Sequence, residues 1–113
     1  MAKNVAVIIR EDPRKTHRPV EALRIALGLV AGVHTTTVVL LGEAVRLISE
    51  DTDDVIDVDI LEKYLPSIEQ LDIPFILEAS TDRSLVRPEL TIRYETDEAI
   101  CTLIQSMDRT LVF

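Results

Sequence analysis

Cysteine is nearly absent from this chain: Cys101 is the single one among 113 residues. One thiol excludes an internal disulfide and fits a reducing compartment, so a cytoplasmic location is the expectation. The two histidines, His17 and His34, are far apart in sequence and have no Cys or His neighbours, so no zinc site is expected. Tryptophan is missing, and Phe and Tyr number two each, which leaves Val, Ile and Leu to build the core. Basic residues are in the minority, with 12 Lys and Arg against 20 Asp and Glu and a net charge of −8. That balance argues against nonspecific binding to nucleic acid or an anionic membrane surface. No apolar run approaches the roughly 20 residues of a membrane span. The opening Met-Ala-Lys-Asn leads straight towards a strand and has no signal-peptide pattern. Repeats, low-complexity tracts and linkers are also lacking, and the length suits a single domain spanning residues 1–113.

What is present is alternation of strand and helix signals. Residues 5–9 (Val-Ala-Val-Ile-Ile) form a short unbroken apolar run, as a central strand requires. Residues 10–18 read as a polar loop, with Thr16 as the cap of the next helix and Pro19 in its first turn. Leu23, Ala26, Leu27 and Val30 recur at helical spacing, and Gly32 marks the stop. Residues 35–41 return to β-branched types, Gly42 breaks the run, and 43–48 predict a short helix. An acidic loop over 50–59 leads to a helix through Ile60, Leu61, Tyr64, Ile68 and Leu71. Asp59 is its expected cap, and Pro66 predicts a kink or break. Residues 73–77 predict a third buried strand and 90–94 an edge strand. Thr96 or Asp97 caps a last helix through Ile100, Leu103, Ile104 and Met107, and 110–113 predict a terminal strand. The class is α/β: three layers, helices on both faces of a mainly parallel sheet of about five strands.

The strand at 5–9, the helix pattern Glu21-Ala22-Leu23-Arg24-Ile25-Ala26-Leu27-Gly28-Leu29, the strand end Val39-Leu40-Leu41-Gly42-Glu43-Ala44-Val45 and the ending Met107-Asp108-Arg109-Thr110-Leu111-Val112-Phe113 occur in a telling order and spacing. Together they resemble the DsrE/DsrF-like family, which includes the small sulfur-relay subunits of the Tus and Dsr systems. In active members of that family a cysteine after the third strand carries persulfide sulfur, chemistry that needs an accessible thiolate. Here Glu78 stands at about that place, and a carboxylate cannot hold a persulfide. The resemblance therefore implies a member lacking the family cysteine: a non-catalytic subunit, scaffold or regulatory partner in a sulfur-metabolism complex. It also implies a homo-oligomer, trimer or hexamer, or assembly with sister subunits.

Other readings concern particular residues. Arg10, Arg14, Lys15, His17 and Arg18 cluster in an acidic chain, between the first strand and the start of the first helix. Ligands favour that edge of a parallel sheet, and free N–H groups there favour an anion. The segment has no glycine, so it is neither a phosphate loop nor a dinucleotide fingerprint. Glu78, Ser80, Thr81, Asp82 and Arg83 fall on the same edge. A small anionic ligand held by Arg14, Lys15, His17, Glu78 and Arg83 is thus an alternative function. The plainer reading is a solvated loop, partly neutralised by Glu11 and Asp12, and an ion-pair cluster. A calcium loop counted from Asp51 to Glu62 fails, because Val55 and Ile56 occupy places needing an oxygen ligand and a glycine. Cys101, beside Ile100 and Leu103, is expected to be a buried apolar residue, and sulfur carriage on it is a second alternative. No catalytic residue, metal or cofactor is expected.

Overall fold

A computed structural model describes residues 2–113. Five strands form one all-parallel sheet: β1 (Asn4–Ile9), β2 (Thr35–Leu40), β3 (Phe75–Glu78), β4 (Ile92–Glu95) and β5 (Arg109–Val112), in the order β4-β3-β2-β1-β5. The three apolar runs expected to be central are so: β1, β2 and β3 each have a strand on both sides. Five consecutive buried residues in both β1 and β2 reflect helices on both faces of the sheet. The weaker strands β4 and β5 take the two edges.

Helices α1 (Arg18–Ala31) and α2 (Val58–Gln70) pack on one face. Their Leu23, Ala26, Leu61, Leu65 and Ile68 meet Val7, Val38, Leu40, Phe75 and Leu77 of the sheet. The opposite face is covered by α3 (Asp97–Gln105), whose Ile100, Leu103 and Ile104 lie on Ala6, Ile8, Val39 and Ile76. A 3₁₀ segment, Gly42–Ile48, follows β2 and buries Ala44, Leu47 and Ile48. The architecture is the three-layer α/β/α sandwich expected from the alternation of strands and helices.

Local details differ in ways that physical chemistry accounts for. His17, not Thr16, is the N-cap of α1; the Thr16 hydroxyl accepts instead from the Arg18 N–H at 3.3 Å. Gly32 is the C-cap of α1, but with φ −82° it does not take the left-handed turn position. Val33 does, at φ 62°, while its N–H donates to the Val30 carbonyl and the His34 N–H to that of Leu29. This is the paired closure of a Schellman turn with a β-branched residue where glycine is usual. Asp57, at φ 64°, replaces Asp59 as the N-cap of α2, a conformation aspartate tolerates better than most residues. Pro66 lies inside α2 without ending it. The Thr96 cap of α3 is as expected, its hydroxyl accepting from the Ala99 N–H at 3.1 Å.

One expectation is overturned outright. Cys101 is exposed, not buried. Only Ile100 of α3 is fully buried, and successive helical residues are about 100° apart around the axis. Cys101 therefore shares its face with Asp97 and Gln105, one turn away on either side, which are also exposed.

Candidate functional site

The carboxyl ends of parallel strands lie on one edge, so the segments after β1, β2 and β3 gather there. Gly42 turns the chain at the end of β2 with φ +57°, where a side chain would be strained. Its N–H donates to Oε1 of Glu78, the last residue of β3, at 2.8 Å. This bond ties the corner after β2 to the end of its neighbour. Beside it opens a cleft of about 360 Å³, whose polar wall includes Glu43, Arg46, Glu78, Ser80, Thr81 and Asp82.

Each charged side chain of that wall has a partner. Arg46 donates from Nε to Oε2 of Glu43 at 2.6 Å. Asp82 accepts from the hydroxyl of Ser84 at 2.7 Å and from its N–H at 3.0 Å. The hydroxyl bond, then the backbone bond, hold the Asp82 carboxyl below its ordinary pKa. Three carboxylates face a single guanidinium, and the lining has neither a thiol nor an imidazole. Such a wall can offer hydrogen bonds to a polar group, but it lacks the nucleophile–base pairing of acyl or sulfur transfer.

The basic loop reaches this edge differently. Arg14 grips Asp12 with Nε to Oδ1 at 3.0 Å and Nη2 to Oδ2 at 2.7 Å, and approaches Glu43 at 3.5 Å. That side-chain bond is the leading reason the Asp12 carboxyl drops to about 2. The Pro13 carbonyl accepts from the Ile56 N–H at 2.9 Å, so the acidic loop docks on the basic one. Lys15 and His17 are exposed. Arg83 stacks its guanidinium 4.1 Å from the centroid of the Tyr94 ring. Of the five residues proposed from the sequence, Glu78 alone lines the cleft. Arg14 touches the cleft's Glu43, and Lys15, His17 and Arg83 belong to the same edge without lining it.

Sequence reasoning missed Arg87. Its Nε donates to the Ser49 carbonyl at 2.9 Å and its Nη2 to Glu62 at 2.9 Å; Glu62 also accepts from buried Thr52 at 3.1 Å. The clamp pins the acidic loop to the segment before β4, and a lone arginine among irregular residues gave no sign of it. Among the described residues, no group of three or more His, Cys, Asp or Glu side chains is placed to hold a metal ion. Among the described residues, no helix is long and apolar enough to cross a membrane.

No family model matches the chain. No curated protein matches it either. Among solved structures it is similar to the crystal structure of the YchN protein from E. coli, with a TM-score of 0.74 over the whole length of both chains and 14% sequence identity. At that identity the likeness is one of fold, and the fold is DsrE-like.

Proposed function

We propose that this chain is a non-catalytic DsrE-like subunit that works by assembly, as a scaffold or regulatory partner in a sulfur-handling complex. The observation that carries the reading is the bond from Gly42 to Glu78. At about the place where the family resemblance implies a sulfur-bearing cysteine, this chain has a carboxylate engaged in holding a backbone corner. The cleft beside it has no thiol in its lining, and Cys101 lies on α3 outside that lining. Surface for partners is available, since Leu85 at the cleft is 61% exposed and Val112 on the edge strand 47%.

The test is light scattering on the purified chain together with affinity capture from its native cells. The expected result is a particle of three or six copies of the 12.7 kDa chain, or stable capture of sister DsrE-like subunits. A monomer at micromolar concentration that captures no such subunit would overturn it. The exposure of Cys101 favours a second reading, sulfur carriage on that thiol. Against it, the residues one turn earlier are Asp97 and Glu98, and a reactive thiolate needs positive neighbours. Rapid alkylation together with a trapped persulfide on Cys101 would make this second reading the better one.

A further inference from the structure

A second pocket, of about 290 Å³, opens at the opposite, amino-terminal edge of the sheet. Three separate segments build it: Lys3 and Val5 at the start of β1, His34 just before β2, and Arg109 and Leu111 of β5, with Leu29 from the last turn of α1. Val5, Leu29 and Leu111 give it an apolar floor, and Lys3, His34 and Arg109 complete its lining.

Six of the twelve Lys and Arg residues are engaged with carboxylates: Arg14, Arg18, Arg24, Arg46, Arg87 and Arg93. Among the described residues, Lys3, His34 and Arg109 are in no ion pair. The acid beside them in sequence, Asp108, turns its Oδ2 to the Asn4 N–H at 2.8 Å. Arg109 uses Nη1 on the Asp108 carbonyl at 2.9 Å, which leaves its other donors available. His34 accepts the Lys3 N–H on Nδ1 at 3.1 Å, so the ring proton sits on Nε2 as a further donor. Two fixed positive charges and a donor around an apolar floor are complementary to a headgroup that is negative and a body that is not. A bare inorganic anion would leave the floor wet, and a neutral hydrocarbon would leave the cations unanswered.

We propose that this pocket binds a small amphipathic anion, an aliphatic carboxylate. Its chain lies on Val5, Leu29 and Leu111, and its headgroup meets Lys3, His34 and Arg109. The site is separate from the cleft but shares strand β5 with the partner surface proposed above, so the test includes a control for a second copy. The probe is octanoate, titrated into the 113-residue chain and followed by amide chemical shifts, with acetate and octanol as controls. Octanoate is expected to shift amides at residues 3–5, 29–34 and 109–111 and to bind at least ten-fold more tightly than acetate. Lys3→Gln with Arg109→Gln should weaken it at least five-fold while the thermal melt stays unchanged, and added salt should weaken it further. The proposal is overturned if octanoate binds no better than acetate, if octanol binds equally well, or if the shifts map elsewhere. It is also overturned if the same amides shift with protein concentration alone, which would seat a second copy there.

Discussion

At φ 62° and 77% exposed, Val33 holds the left-handed position of the turn that closes α1 with nothing packed on it to compensate. For a β-branched residue that conformation costs roughly 1–2 kcal/mol, part of which glycine gives back as unfolded-state entropy. Val33→Gly should therefore stabilise the protein by about 1 kcal/mol in chemical denaturation, with Val33→Asn in between. The Asp12–Arg14 pair makes a prediction with pH. The folded carboxyl titrates at about 2, below the value near 4 of an unfolded chain. A depressed folded pKa means that the pair's contribution is complete above pH ~4 and is lost as the pH falls towards ~2. Asp12→Asn should flatten that part of the acid-unfolding curve and leave the alkaline side alone. Arg87, 17% exposed, holds Ser49 and Glu62 at once, so Arg87→Ala should destabilise by about 1–3 kcal/mol and raise amide exchange in the acidic loop. Of these three roles only neutralisation of the basic loop by Asp12 was legible from sequence, since the turn position of Val33 and the partners of Arg87 are not defined by spacing.

The helices were legible as elements and less so as oriented surfaces. The periodicity of Ile100, Leu103 and Ile104 identified α3 and its apolar stripe, and Thr96 its cap. The same periodicity puts Cys101 off that stripe, yet its apolar neighbours in sequence suggested burial, because adjacency along a helix is not adjacency in space. Ile100 is 4% exposed and is the one fully buried residue of a layer made by a single nine-residue helix. Ile100→Ala should cost about 2–5 kcal/mol in a thermal or denaturant melt, whereas Cys101→Ser should change stability by less than about 0.5 kcal/mol. For α2, Pro66 was expected to kink or break the helix; it does not break it, since burial of Leu61, Leu65 and Ile68 on the sheet carries the element through.

At the scale of the whole molecule, the order of signals was enough for the layers, because unbroken apolar strands joined by amphipathic helices leave few other arrangements. Central against edge strands followed from the same contrast, β1 and β2 being continuous and β4 weakly alternating. The site was legible only as an edge: Glu78 could be placed there and Asp12 set against the basic loop, whereas the bond of Glu78 to Gly42 and the approach of Arg14 to Glu43 follow from how the chain folds. The strand order also bears on how the chain comes into being. β5 sits beside β1, and the Asn4 N–H is bonded to Asp108 across 104 positions of sequence. During synthesis β1 can acquire β2 early, but its other side stays open until residues 109–112 have left the ribosome. Until then the most apolar strand of the protein is a bare edge able to recruit a foreign strand. Closure of the sheet thus waits on residues 109–112, more than a hundred positions after the start of β1, and a ribosome stalled at position 108 would present a sticky, unfinished sheet to the cell's chaperones.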